Sequence, residues 1–323
     1  MKKSFSLTVA VVTVTAKIAF GSWVYEGQWG TRGSGNGEFA YARGVSVAPN
    51  GNIYVADRDN DRIQYFTPTG SFLGKWGTSG SGDGQLKSPR RAAVAPNGNV
   101  YVADCNNDRI EYFTATGSFL GKWGTWGIDD GQFKRVGDVA VSASGARVYV
   151  VDNGNCRIQY FTLSGSFLGK WGSQGGGNGH FEDPRGVALA AGGNVYVGDY
   201  GNNRVEYFTS NGSFLGTWGT RGTGDGEFDG PSGIGVGPNN RVFVTDSRNH
   251  RVQYFSSSGS FLGKWGSSGS GNGQFNLPNS VTISANGARA YVADTYNHRV
   301  QYFYDDENSI VPTSFGGVKA VFR

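Results

Sequence analysis

The stretch Asn52-Ile53-Tyr54-Val55-Ala56-Asp57-Arg58-Asp59-Asn60-Asp61-Arg62-Ile63-Gln64-Tyr65-Phe66 holds two short runs of β-branched and aromatic residues split by a polar segment. Its first run returns as Tyr101-Val102-Ala103-Asp104, Tyr149-Val150-Val151-Asp152, Tyr196-Val197-Gly198-Asp199, Phe243-Val244-Thr245-Asp246 and Tyr291-Val292-Ala293-Asp294. The Asp positions step by 47, 48, 47, 47 and 48 residues. Five residues after each Asp stands an Arg: Arg62, Arg109, Arg157, Arg204, Arg251 and Arg299. Three residues further comes Tyr-Phe, from Tyr65-Phe66 to Tyr302-Phe303. A fixed period of this length marks one supersecondary unit repeated in space.

Each unit predicts four strands. In the first copy they fall over residues 44–48, 52–57, 62–67 and 71–77, each bounded by Gly, Pro, Asn or Ser. Pro49-Asn50-Gly51 and Pro68-Thr69-Gly70 supply the turns, because Gly and Asn tolerate positive φ. Four antiparallel strands per repeat, six times over, give an all-β, six-bladed β-propeller, whose ring protects strand edges that an open array would expose. Five copies run on into Gly-Ser-Phe-Leu-Gly-x-Trp-Gly, as at residues 70–77, but after Phe303 the chain reads Tyr304-Asp305-Asp306. The missing fourth strand stands at the other end, where Trp23-Val24-Tyr25-Glu26-Gly27-Gln28-Trp29-Gly30 matches at Gly27, Trp29 and Gly30. The N-terminal strand is therefore expected to complete the last blade and close the ring.

Composition agrees. The chain has 54 Gly in 323 residues and 14% aromatic residues, which suits many short strands joined by tight turns and excludes disorder. The formal charge of +4 overstates basicity, since Lys2, Lys3 and Lys17 lie in the first 21 residues, which hold no acid. The remainder has 26 basic residues against 25 acidic, a weak footprint for nucleic acid.

Lys2-Lys3, the largely apolar residues 5–16 and the small-residue site Ala19-Phe20-Gly21 read as a signal peptide, residues 1–21, with Ser22 as the mature start. The expected product is secreted or periplasmic. No later stretch approaches the ~18 apolar residues of a membrane span. The propeller is expected over residues 22–303, and residues 304–323 leave the repeat pattern as a C-terminal tail.

The Asp-x-x-Asn-x-Arg core, the Asn249-His250-Arg251 and Asn297-His298-Arg299 versions of it, the Val-x-Val strands and the Gly-x-Gly-x-Gly-x-Phe approach to each blade resemble the NHL-repeat family, over roughly residues 23–303. The resemblance implies that the loop entering each blade and the loop after its second strand share one face, where partners bind. The Asp and Arg of every copy, from Asp57 and Arg62 to Asp294 and Arg299, are expected to brace that face. Positions where copies differ are the better site candidates. Arg43, Arg90, Gly137, Arg185, Ser232 and Asn279 are expected around one mouth of the channel, with Arg91 adjacent. Arg58, Cys105, Asn153, Tyr200, Ser247 and Thr295 follow the repeat Asp, with Arg248 and Tyr296 next in their loops. The arginines, Arg58 and Tyr200 suit an anionic or planar ligand; the alternative is ordinary solvated surface.

The reading is thus a monomeric recognition module for a protein or glycan, with no cofactor and no metal implied. The alternative is a channel-centred lyase or hydrolase, with or without a metal, of the gluconolactonase, strictosidine-synthase or amidating-lyase type. Asp138, standing where three copies have Gly, is the one odd acid that such an enzyme would use. Only His180, His250 and His298 are present, and two occupy the repeat's own slot, so a three-His zinc site is not expected. Asp57-Arg58-Asp59-Asn60-Asp61 imitates a calcium loop, but Arg62 stands where Gly is needed and Pro68 where Glu is needed. Cys105 and Cys156 lie in equivalent loops of consecutive blades, and free thiols are expected, with a disulfide as the alternative.

Overall fold

A computed structural model of the chain describes residues 23–306. The proposed leader and most of the C-terminal tail lie outside the described residues. Six four-stranded antiparallel sheets form a closed ring. Blade 1 consists of Ala42–Val47, Ile53–Asp57, Arg62–Phe66 and Phe72–Trp76, from the channel outwards, and blades 2 to 5 repeat it. Blade 6 takes Ser280–Ile283, Arg289–Asp294 and Arg299–Asp305 from the C-terminal end, and its outer strand is Trp23–Trp29. Trp23 pairs with Asp305 and Trp29 with Val300, so the ring is closed as expected, and the final strand runs on to Asp305.

The apolar core lies between blades. Tyr54, Ile63 and Trp76 of blade 1 pack against Ala92, Val100, Val102 and Phe113 of blade 2, with Leu86 sealing the top. At five of the six seams the outer-strand Trp lies beneath the turn glycine of the next blade. Gly70, at φ 91°, sits so close to Trp29 that an added Cβ would lie 2.7 Å from the indole. The second-strand Tyr bonds the same turn: Tyr54 OH donates to Ala115 O (2.9 Å), and Tyr101, Tyr149, Tyr196 and Tyr291 do likewise.

Blade 5 breaks this pattern for a physical reason. Blade 6 is assembled from both chain ends and has no turn joining its third and outer strands, so a hydroxyl in blade 5 would have no acceptor there. The position is Phe243. Trp23 fills the gap, edge-on to Phe243 and stacked on Trp265, each at 5.4 Å between ring centroids.

The top face, which carries the loops entering the blades, is held by one buried device in each blade. In blade 1, Asp57 is fully buried and accepts from Arg62 Nε (2.6 Å), Asn60 Nδ2 (2.8 Å) and the Ala40 N–H (2.7 Å). Arg62 also donates to Ser34 O, Gly35 O and Glu38 O, stitching the entry loop to the sheet. Arg109–Asp104, Arg157–Asp152, Arg204–Asp199, Arg251–Asp246 and Arg299–Asp294 repeat the pair at 2.7–3.0 Å. Burial pushes the Asp57 carboxyl up, opposed by its bonds to Asn60 and Arg62.

Gln64 completes the device by donating to Glu38 O and Asp57 while accepting from the Gly37 N–H. Blades 2 and 4 carry buried Glu111 and Glu206 there. A carboxylate cannot donate: Glu111 Oε1 faces Arg109 at 2.9 Å and Glu206 Oε1 faces Arg204 at 3.3 Å, while Glu111 Oε2 and Glu206 Oε2 have no hydrogen-bond partner among the described residues. Burial raises both groups to about 7, against the pull of Arg109 on Glu111 and of the Gly179 N–H and Arg204 on Glu206. Asp104 and Asp199 push in the same direction as burial.

A second device joins neighbouring blades. The residue at the left-handed end of the loop after the second strand accepts the N–H of the residue preceding the next innermost strand. Asp61 takes Ser88 (2.7 Å), Asp108 takes Arg135 (2.5 Å) and Asn203 takes Gly230 (2.9 Å). Cys156 takes Asp183. His250 Nδ1 takes Leu277 and His298 Nδ1 takes Tyr41, both at 3.2 Å. Both histidines therefore flank blade 6 and accept through an unprotonated Nδ1. Burial, with Arg32 next in weight, holds His298 below its usual range, while Asp57 and Asp59 act in the opposite sense.

Two pH responses of opposite sign follow. A histidine depressed on folding loses its stabilising contribution as pH falls through the unfolded value of about 6.5. His298→Asn keeps an acceptor, as Asn203 does, so the melting-temperature gap over the native chain should widen from about pH 7 to about pH 5. Parallel curves would refute the latch. A glutamate raised on folding stabilises fully below its unfolded value of about 4.5 and loses that contribution as pH rises through about 7. Thermal denaturation of Glu111→Gln/Glu206→Gln should show a gain of up to about 3 kcal/mol per site at alkaline pH that fades toward pH ~4.5. A pH-independent difference would contradict it.

Candidate functional site

The innermost strands crowd the axis. A Cβ on Gly44, Gly186 or Gly233 would lie 2.3, 2.2 or 2.5 Å from the carbonyl oxygen of Arg90, Ser232 or Asn279 in the next blade. Side chains can therefore project only above or below this layer, or through it in the three blades that carry Arg91, Asp138 and Ser280 instead of Gly.

The innermost strand begins at Ala42, two residues earlier than the apolar pattern suggested. Tyr41 turns the chain at φ 64°, and Ser88, Arg135, Asp183 and Leu277 adopt the same left-handed conformation. The inter-blade bonds to their N–H groups hold them there. A bulge follows between Ala42 and Gly44, and blades 2 to 5 shift register at the same place. Bulges re-aim side chains. The bulged residues are Arg43, Arg90, Gly137, Arg185 and Ser232; Asn279 takes the place in blade 6.

These residues meet. Arg43, Arg90, Arg91, Arg185, Ser232 and Asn279 line one cleft at the top of the channel, with Asp138 and Ser280 beneath. The cleft's volume is about 20 Å³, room for roughly one water-sized group.

The arginines are not equivalent. Arg91 is committed below the mouth, at 3.5 Å from Asp138 and donating to Ser280 Oγ (3.0 Å). Asp138 also accepts the Val139 and Val187 N–H groups, so this pair ties blades 2, 3, 4 and 6 together across the axis and plugs the channel. Burial raises the Asp138 carboxyl against the pull of Arg91. Arg185 bonds Asp183 (2.6 Å), and its guanidinium carbon lies 3.2 Å from the centre of the Tyr200 ring. Arg248 approaches the same ring at 4.9 Å and pairs with Asp229.

Arg43 and Arg90 differ. Among the described residues neither guanidinium has a carboxylate within ion-pair distance or donates a hydrogen bond. Burial lowers both, and Arg90, Arg185 and Arg58 add repulsion that takes Arg43 to about 9. A guanidinium is effectively always protonated at neutral pH, so both carry their charge.

The other candidates lie outside the cleft. Arg58 pairs with Asp59 (3.5 Å), and Tyr296 is half exposed and edge-on to Tyr41 (5.1 Å). Within the cleft, Ser232 donates to Asn279 Oδ1 (3.2 Å). Of the calcium-like run, Asp57 belongs to the brace, Asp59 to Arg58 and Asp61 to the inter-blade bond. Among the described residues no three His, Cys, Asp or Glu side chains come together as metal ligands. Cys105 and Cys156 are free thiols. On the blade 3 rim, Trp126 and Ile128 are 69% and 72% exposed, an apolar pair that sequence reasoning missed. Its signal was there: other copies have Arg32, Ser79, Gln174, Arg221 and Ser268 opposite Trp126.

Comparison with known proteins agrees with this architecture. The NHL repeat family matches residues 39–66, 86–113, 181–208, 228–255 and 275–303, which fall in blades 1, 2, 4, 5 and 6. A 44-residue stretch is 52% identical to the E3 ubiquitin-protein ligase TRIM71 of Rattus norvegicus and of Mus musculus. It covers 14% of this chain and only 5% of those proteins. Solved structures share the fold at low identity. A Bacteroides thetaiotaomicron protein of unknown function aligns with TM-score 0.66 and 16% identity, over 86% of this chain and 76% of that one. A streptogramin B lyase aligns with TM-score 0.60 and 11% identity over 88% and 98%. Virginiamycin B lyase from Staphylococcus aureus aligns with TM-score 0.56 and 13% identity over 80% and 79%. At these identities the likeness speaks for the fold alone. With the repeats matched in five blades and the sixth built to the same plan, the chain belongs to the NHL-repeat family of six-bladed β-propellers.

Proposed function

We propose that this propeller is a recognition module that works outside the cytoplasm and offers its top face to a protein or glycan. The observation that carries this reading is the division of labour on that face. The Asp–Arg pair of the brace recurs in all six blades, whereas side chains that differ between copies converge on one mouth. Two of them, Arg43 and Arg90, carry charge that no described carboxylate pairs with. A partner with an anionic group supplies what they lack. Tyr200, Tyr296, Trp126 and Ile128 offer aromatic and apolar contact around the rim, the residue types that dominate interface energetics. Export rests on the leader-like residues 1–21; the closing strand begins at Trp23, so cleavage before Ser22 spares it.

Binding of the purified chain to arrays of acidic and neutral glycans, and to immobilised proteins from the extracellular fraction of its host, tests the reading. Arg43→Ala/Arg90→Ala/Arg185→Ala should weaken captured ligands by at least about a hundredfold while the chain stays folded, since each lost contact to a charged group is worth about 1.5–3 kcal/mol. Undiminished binding by the triple variant would reject the mouth as the recognition site. Mass spectrometry of the exported protein should find Ser22 at its N-terminus.

A further inference from the structure

Two like charges held in one cleft, with no carboxylate among the described residues to pair with either, are an unfavourable arrangement, and the fold goes to some length to maintain it. Arg43 and Arg90 sit at bulges that aim them at the axis, behind left-handed residues fixed by inter-blade bonds. The acids nearby are engaged elsewhere: Asp138 with Arg91 and two backbone N–H groups, Asp183 with Arg185, and Asp59 with Arg58. Below the two arginines the Arg91–Asp138–Ser280 plug closes the axis, so whatever enters does so from the top and stops there.

Size narrows the choice. A cleft of about 20 Å³ accepts the tip of a ligand, not a sugar ring or a nucleobase. Guanidinium groups pair bidentately with carboxylates and tetrahedral oxyanions alike, and the smaller, planar carboxylate is the one that a cleft of this size favours.

We propose that the channel mouth is a carboxylate site, in which one carboxylate group enters end-on between Arg43 and Arg90 while the remainder of its carrier stays on the top face. The proposal rests on the recognition reading and names the chemistry of its anchor. The carrier is either a free small acid or a carboxylate on a larger partner, and both present the same two oxygens.

Thermal unfolding and calorimetric titration with sodium acetate, against sodium HEPES and sodium sulfate at equal ionic strength, test it on the full chain. Acetate should raise the melting temperature saturably, beyond either control. Arg43→Gln and Arg90→Gln should each weaken the acetate midpoint by about tenfold or more, the loss of one charge-assisted contact. Each variant should also melt above the native chain in HEPES, because it removes one of two like charges that share the cleft. That gain separates an unpaired charge from a structural arginine, whose loss would lower the melting temperature. Acetate acting no better than HEPES, sulfate acting equally well, or variants that melt lower and keep the acetate response would each overturn the proposal. Glucuronate and a Glu-terminated peptide, titrated in the same way, distinguish a carried carboxylate from a free acid. If acetate fails while the triple alanine variant still loses array binding, the recognition face stands and only the carboxylate anchor falls. If acetate binds and array binding is unaffected, the anion site stands and the recognition reading falls.

Discussion

A carboxylate with no exposure to water, facing a guanidinium that is itself almost buried, is the interaction on which each blade depends. Stripping water from such a pair is costly, and it is tolerable only when the remaining donors and acceptors are met. Asp57 meets this condition with Asn60, the Ala40 N–H and Gln64, and Arg62 with three carbonyl oxygens of the entry loop. The glycine-rich loop has little apolar surface of its own to bury. Its rigidity comes from that guanidinium. Six such loops make a rim stiff enough to hold side chains at fixed positions around an axis.

A ring of near-identical units leaves few places for individuality. Inside the blades almost every position is dictated by packing against a neighbour, and on the braces by hydrogen bonding. The bulge at the start of the innermost strand is freer, because its side chain points along the axis rather than into a seam. There the copies diverge to Arg, Gly, Ser and Asn. The next residue shows what happens without a functional demand: it is Gly where neighbouring strands press closest, and Arg91, Asp138 and Ser280 satisfy one another across the axis. Against that background the unpaired state of Arg43 and Arg90 stands out, since the same layer shows that the fold can neutralise an arginine when it needs to.

Closure shows the same economy. The last blade is held to itself without a covalent turn, and adjustments gather around it: Phe243 in place of Tyr, Trp23 in place of the turn, and imidazole acceptors on either side. Stability of the whole ring is therefore tied to the protonation of His298 at the seam between blades 6 and 1, whereas the Glu-bearing blades 2 and 4 carry the opposite sensitivity.

The sequence by itself determined the blade count, the strand content of each blade and the partnership of the two chain ends, because all three follow from a period and from one interrupted motif. It also singled out the mouth residues, since alignment of six copies shows which positions vary. It could not separate Arg91 and Arg185 from Arg43 and Arg90, because the acids that neutralise the first two stand at bulge or left-handed positions whose direction is set by neighbouring blades. Nor could it show that His250 and His298 act as acceptors, or that Trp23 replaces a turn. Those roles belong to contacts between blades, such as the 257-residue span from Tyr41 to His298. Periodicity records what each unit shares with the others, and tertiary structure alone decides which charges come close enough to cancel.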